Sequence, residues 1–386
     1  MDNLAHSLVG LAAAKAGFEK LSPGATAVCI VAANAADLDF ISAISGDRWT
    51  VLRYHRGVTH SILGTLLLSL FIPFLFWLIE RVISRIRRRP GRFRFRGLLL
   101  TSIVVGATHP LLDWTNNYGV RPLLPWSGRW FYGDLVFVVD PVLWLIFGGA
   151  AFLLTSKSKR QVVLWALLWA FLTFIVVYAT VIGRGLEHPA VVSCGWTIAM
   201  ISLAACYRMD LGRRLGARLS VTAFLILLIY WGALGILHSR ALSLAAGQAS
   251  TLATAEHEEV IRLAAMPTLT NPLHWRCLVE TNQTVYRFDL YLASSQREAK
   301  NLVRYAKPDR SEAALVALAM KDHRAQAFFE FARFPVERVA DRDCTSQTLV
   351  QFADLRYTDP GRSRGNFSLE LPIECPAPGA QSNDGR

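Results

Sequence analysis

The chain has 386 residues, of which 53% are hydrophobic and 18% charged, with a mean hydropathy of +0.31. A soluble protein of this size carries about 25% charged residues, so the composition argues against an ordinary cytosolic enzyme and against disorder. Lys and Arg total 41 against 29 Asp and Glu, a net +12, which in a soluble domain would point to nucleic acid.

Placement overrides that reading. The apolar runs of about 20 residues all fall before residue 239, so a polytopic membrane protein with a polar tail is the leading class. Residues 84–96 hold seven arginines between two apolar runs, the mark of a cytoplasmic loop under the positive-inside rule, and no nucleic-acid partner is expected. No basic residue precedes Lys15 and no small-residue cleavage site follows an apolar core, so the first helix is expected to stay rather than leave as a signal peptide.

The apolar runs predict a mainly α fold, a bundle of about eight helices over 4–18, 24–44, 61–83, 97–112, 135–155, 161–183, 190–208 and 220–238. Two of them, 4–18 and 97–112, fall short of the roughly 20 residues that a bilayer requires, and read as partial spans or as helices lying against others. With 84–96 inside, Lys157, Lys159 and Arg160 fall inside two helices later, and Arg208, Arg213, Arg214 and Arg218 inside after two more. Counting backward puts Lys15 and Lys20 inside as well. The N-terminus and everything after His238 then lie outside.

The polar tail, 239–375, reads as a small extracytoplasmic α+β domain behind the membrane domain 1–238. A helix is expected over 253–265, ended by Pro267 and Pro272, then paired strands over 274–281 and 285–292 around Asn282-Gln283. A helix over 312–331 and strands over 348–357 and 366–373 follow. Residues 376–386, rich in Gly, Pro, Ser and Asn, read as a disordered tail. Cys29, Cys194 and Cys206 lie in apolar helices as small hydrophobes, while Cys277, Cys344 and Cys375 offer one oxidisable pair that the sequence does not choose.

Seven polar residues do not belong in such surroundings. His6, Asp37, Asp39, His55, His60, His109 and Asp113 sit within or beside the first four apolar segments, and the predicted topology puts all seven at the outward side. An aspartate at the centre of a membrane helix costs about 2.5 to 3.5 kcal/mol, so water, mutual pairing or a bound cation must offset them. His109 and Asp113, four apart, share one helix face. His55 and His60 flank a loop-to-helix turn in which Gly57 is expected to relax the backbone and Thr59 to cap. Asp37 and Asp39 point about 200 degrees apart on an ideal helix, so one of them is expected behind the other's ligand layer. Imidazole with carboxylate suits zinc, and with more carboxylate or water suits manganese or iron. His188, His238, His257, His274 and His323 lack such grouping.

These residues resemble the LexA-binding, inner-membrane-associated metal-dependent hydrolases, through H6-S-L-V-G10, A36-D37-L-D39, H55-R-G-V-T-H60-S and H109-P-L-L-D113-W-T-N-N-Y-G119, followed by V139-D140-P141. The resemblance covers about the first 150 residues. Ala36 departs from it, standing where the family usually has proline. A looser similarity links the histidine–aspartate spacing to zinc-dependent phospholipase C and P1-type nucleases. The resemblance implies a hydrolase and names no substrate.

The expected function is therefore a divalent-metal hydrolase acting on a membrane lipid, or on a lipid-like or phosphorylated substrate. His6, Asp39, His55, His60, His109 and Asp113 are its candidate ligands, and Asp37 is a further ligand or general base. Arg56 and Arg121 are candidates to hold an anionic group, Asn116, Asn117 and Tyr118 to orient substrate or water, and Gly119 to permit a turn. Trp126, Trp130, Phe131 and Tyr132 read first as an aromatic belt and second as a lipid-chain platform. Asp134 and Asp140 read as helix caps. An ion or proton transporter, a metal sensor and a non-catalytic assembly factor are the alternatives; the first calls for midplane polar residues and pseudo-symmetry, which the sequence does not display.

Overall fold

The computed structural model describes residues 1–182, 188–294, 298–340, 346–361 and 367–374. Two compact units result: Met1–Asp39, Arg56–Arg240 and Met266–His274 form one, and Phe40–His55, Ala241–Ala265 and Trp275–Arg386 the other. The first is a helical bundle and the second combines helices with antiparallel sheet. The longest run of the first unit ends at Arg240, and two short stretches cross over: 40–55 joins the second unit and 266–274 the first.

The bundle begins with α1 (Asn3–Ala16), capped by Asp2, whose carboxylate accepts from Ala5 N at 2.9 Å and from the Trp144 indole at 3.1 Å. Helix α2 (Ala25–Asn34) packs against α1 through small residues: a Cβ at Gly10 would lie 2.7 Å from the Cys29 carbonyl and 2.9 Å from Ala33. In hydrocarbon there is no hydrophobic drive between helices, so such close approach is what holds them together. A 3-10 stretch, Ala35–Ile41, continues α2.

Helices α3 (Ser42–Ser45) and α4 (Arg48–Tyr54) follow, then a 3-10 turn, Val58–His60, and α5 (Ile62–Ile86), capped by Ser61 Oγ on Gly64 N at 3.0 Å. Helix α6 (Phe95–Trp114) lies against both α5 and α2. A non-regular segment leads to α7 (Pro141–Leu143), a π turn at Trp144–Gly148 and α8 (Gly149–Thr155). Asp140 caps α7 through Val142 N at 2.9 Å, as expected; Asp134 stands clear of any helix start, at φ 51. Then come α9 (Lys159–Ile182), α10 (Pro189–Arg208), α11 (Leu211–Leu215) and α12 (Ala217–Glu256).

Six helical stretches among the described residues are long and apolar enough to cross a bilayer: Ala25–Ile44, Ile62–Ile86, Phe95–Trp114, Lys159–Val181, Pro189–Arg208 and Ala217–Glu256. The first predicted helix, at 14 residues, and Pro141–Thr155 are shorter. The fourth predicted helix, by contrast, gains length at both ends. Exposed Leu67, Phe71, Leu167, Phe171, Leu228 and Ile229 make outer faces fit for hydrocarbon rather than water.

In the second unit, α12 runs on to Glu256, so the expected helix over 253–265 is corrected. Its second half is strand β1 (Val260–Pro267), because Val260 and Ile261 favour an extended chain once the alanine-rich run ends. Strands β2 (His274–Thr281), β3 (Thr284–Tyr291) and β4 (Lys300–Ala306) complete a sheet of order β1-β2-β3-β4. The expected helix over 312–331 splits into α13 (Arg310–Ala319), with an Asp309/Glu312 capping box, and α14 (His323–Phe331), capped by Asp322. Strands β5 (Pro335–Val339), β6 (Gln347–Asp354) and β7 (Ser368–Glu374) form a second antiparallel sheet. Cys29, Cys194, Cys206 and Cys277 are free thiols; Cys344, Cys375 and the tail 376–386 lie outside the described residues.

One partly buried acid in this unit gives a pH signature. Burial, only partly offset by a backbone hydrogen bond and Lys307, pushes the Glu337 carboxyl on β5 from its ordinary 4.5 up to about 7. The folded state therefore favours the protonated acid, and its contribution to stability, full below about 4.5, declines as pH rises to about 7. Glu337→Gln should lose this dependence. Unfolding of the two full-length proteins in detergent, followed from pH 4.5 to 8, is expected to diverge by up to about 3 kcal/mol, and parallel curves would contradict it.

Candidate metal centre

Four helix ends bring the polar residues together. His6 lies one turn into α1, Asp37 and Asp39 in the 3-10 stretch after α2, His60 in the turn before α5, and His109 and Asp113 in the last turns of α6. All are buried or nearly so.

The inner group is Asp37, His60, His109 and Asp113, one ligand atom from each lying within 4.8 Å of all the others. His60 Nε2 is 3.1 Å from His109 Nε2, 3.4 Å from Asp37 Oδ1 and 3.3 Å from Asp113 Oδ2. His109 Nε2 is 3.6 Å from Asp37 Oδ1 and 3.5 Å from Asp113 Oδ2. Around a tetrahedral ion with bonds of about 2.0–2.1 Å, neighbouring ligand atoms are about 3.3 Å apart. The spacing therefore suits a single ion.

Both imidazoles are aimed from behind. His60 Nδ1 lies 3.0 Å from Asp39 Oδ2 and His109 Nδ1 lies 2.7 Å from the Ala33 carbonyl, which directs each Nε2 at the common point. Asp39 also accepts from Thr59 Oγ1 at 3.0 Å and from Arg56 N at 2.9 Å. Asp37 and Asp39 thus divide the work that the sequence left open: at three residues per turn their directions are about 120 degrees apart, and Asp37 meets both Nε2 atoms while Asp39 meets His60 Nδ1. Asp39, expected as a ligand, braces His60 and also keeps a carboxylate oxygen within 4.8 Å of one of Asp37.

His6 stacks on His109 with ring centroids 3.7 Å apart, and its Nε2 is 3.3 Å from Asp113 Oδ1. It adjoins the four without joining them. The Met1 amino group also pairs with Asp113 Oδ1. His55 is not part of this group: it belongs to the second unit, where it ends α4 with its ring 4.4 Å from Phe40.

Arg56 differs from expectation. Its Nε is 3.1 Å from Asp113 Oδ2, and its Nη1 donates to Asn116 Oδ1 at 2.9 Å and to the carbonyls of Gly119 and Asp113 at 3.1 and 3.2 Å. Only 2% exposed and lying over Tyr118, it orients Asp113 and the 116–119 loop. It takes this pose from a left-handed backbone, φ 55, next to Gly57, expected to be the relaxed residue, which stands at φ −86, ψ −134. Thr59, expected as a cap, yields that role to Ser61. Asn116 accepts from Tyr118 N at 2.9 Å as well, and its Nδ2 has no partner among the described residues. Gly119 has φ +86 and a Cβ there would strike Tyr132, so the turn does require glycine. Arg121 lies over Trp130.

Charge explains the need for a cation. Asp37, Asp39 and Asp113 outnumber Arg56 by two formal charges in a dry site, and the Met1 amine, a protonated imidazole or a metal ion must supply the balance. His60, outside the spans, shows the strain: burial would lower its pKa, yet Asp113, Asp37 and Asp39 push it up to about 10. The donor set and its geometry fit a divalent metal.

The model of a family described as YdjM inner membrane protein matches residues 1–185, a stretch that contains the whole cluster. The uncharacterized protein YfhP of Bacillus subtilis (strain 168) is 27% identical over 116 residues, covering 30% of this chain and 32% of that protein. The chain thus spans about a third of the length of that curated relative. No solved structure matches. With the six apolar spans, the family match supports a multi-pass inner-membrane protein.

Gly64, which the motifs did not single out, controls where His60 stands. A Cβ there would lie 1.8 Å from the Val58 carbonyl, so α5 can dock on the 58–60 turn only without a side chain. Gly64→Ala should displace that turn, cost at least about 1–3 kcal/mol and lower bound metal. Melting temperature and metal content of the purified variant, measured together, check this; unchanged values in both would contradict it.

Proposed function

We propose that the chain is a membrane-bound, metal-dependent hydrolase of a phosphoester in a lipid or lipid-linked substrate, working at the outer face of the inner membrane. The carrying observation is the set of near-tetrahedral spacings, 3.1 to 3.6 Å, that the His60 and His109 Nε2 atoms keep to each other and to Asp37 and Asp113, with both imidazoles braced from behind. Zinc suits this set best; manganese or iron would call for added water or carboxylate. A bound divalent ion supplies Lewis acidity and a water acidified toward a pKa of about 7.

The chain's own residues hold and aim. Asp39 and the Ala33 carbonyl fix the two imidazoles; Arg56 offsets the charge of Asp113 and ties it to the 116–119 loop. Asn116 keeps Nδ2 to donate to substrate or water. Arg56 is better read as a positioning residue than as the holder of a substrate phosphate, because its Nε and Nη1 face protein acceptors. The phosphoester assignment draws on the resemblance to phospholipase-type sites and on the cluster's place at the ends of apolar helices. That same place speaks against transport, which would set the polar groups near the midplane of several helices. The orientation rests on the arginines of 84–96 and predicts an extracytoplasmic second unit.

Full-length protein gently purified in detergent should carry about one equivalent of metal per chain. His109→Ala should lose both metal and hydrolysis of phospholipid substrates, and Asp39→Ala should weaken metal binding by about 10–100-fold. Wild type devoid of metal, with no activity restored by zinc or manganese, would overturn the reading. A periplasm-dependent reporter fused after Arg386 should be active; one active only in the cytoplasm would reverse the sidedness.

A further inference from the structure

An apolar cavity of about 480 Å³ lies between α5 and α6, with His60, just before α5, in its lining. Its walls include Leu66 and Ser69 of α5, Ile103, Ala107 and Trp114 of α6, and Phe131. The volume falls within the range of small-molecule pockets, about 300–1,000 Å³. Apart from His60, Thr65 and Ser69 the lining is hydrocarbon or aromatic.

Its position defines what can enter. Both walls are helices long and apolar enough to span the bilayer, and Leu66, Ile103 and Leu111, on the cavity wall, are exposed. Along such a surface the surrounding medium is acyl chain, so the mouth opens sideways into lipid. The lining includes an imidazole that shares its Nε2 with the carboxylates of Asp37 and Asp113. A molecule that is greasy along its length and carries at one end a phosphoester, which a cation held by those carboxylates would attract, matches both. His60 precedes α5 and the cavity runs alongside α5 as far as Ser69, two turns in, so the polar end meets the level of headgroups and the apolar part the level of chains.

We infer that this cavity holds the hydrocarbon chain of a membrane lipid whose phosphoester lies at the His60 end. The inference rests on the hydrolase reading for what happens at the metal, but the chain site can be tested apart from it. Filling the cavity brings no hydrophobic gain over remaining in the bilayer, since lipid tails are as apolar as its walls. Its contribution is to position the phosphoester, and it should show as localisation and chain selectivity rather than as tight binding.

The test is photo-crosslinking of full-length protein, in vesicles of phosphatidylglycerol carrying a diazirine at mid-chain, with the labelled peptides mapped by mass spectrometry and metal content measured on the same preparation. Labelling is expected to concentrate on the cavity faces of α5 and α6, several-fold above α9 and α10, which serve as internal controls. Ala107→Trp, which narrows the cavity away from the ligands, should remove that excess while leaving metal content unchanged. Labelling spread evenly over all spans of the wild type would overturn the inference, whether or not the variant folds. Concentrated labelling in a protein that holds no metal would uphold the chain site and count against the hydrolase; metal and activity with even labelling would do the reverse.

Discussion

Everything in the N-terminal unit is organised around carboxylates that have been taken out of water. Three aspartates and one guanidinium in a dry layer leave a negative excess that the apolar helices cannot screen. The same low dielectric that makes the excess costly makes its interaction with a cation strong. The helix ends converge because none of them is tolerable alone: each carboxylate or imidazole finds at least one partner on another segment. Loss of one partner leaves a buried charge uncompensated, which is more damaging than never having placed it there.

The braces are as informative as the ligands. An imidazole can offer either nitrogen, and only a partner on the far side decides which. Here one partner is a carboxylate that is itself held by Thr59 and a backbone amide, and the other is a main-chain carbonyl. The guanidinium of Arg56 plays the corresponding part for Asp113. This layered construction is what distinguishes the cluster from a chance meeting of polar residues at a helix boundary.

Much of this was legible in the sequence, and the rest fails for physical reasons. Apolar runs revealed the helices because hydrocarbon forces a long uniform signal. The i, i+4 spacing of His109 and Asp113 revealed a shared face. Spacing alone did not decide between Asp37 and Asp39, because the answer depends on α2 tightening to three residues per turn after Asn34. His55 and His60 looked equivalent in the motif, and spacing alone did not reveal that only His60 enters the buried group of four. Strand β4 escaped notice because most of its residues are exposed, leaving no buried face to alternate. The cavity between α5 and α6 had no signature at all, since its walls look like any other membrane-facing residues.

The hold on His109 by the Ala33 oxygen has a consequence for how the site can change. That oxygen belongs to the peptide group, so no exchange of side chain can delete it; only a shift in where α2 gives way to the tighter helix can move it. His60 depends on a replaceable aspartate instead. One half of the centre can therefore drift by ordinary substitution, while the other is anchored in the course of the main chain itself.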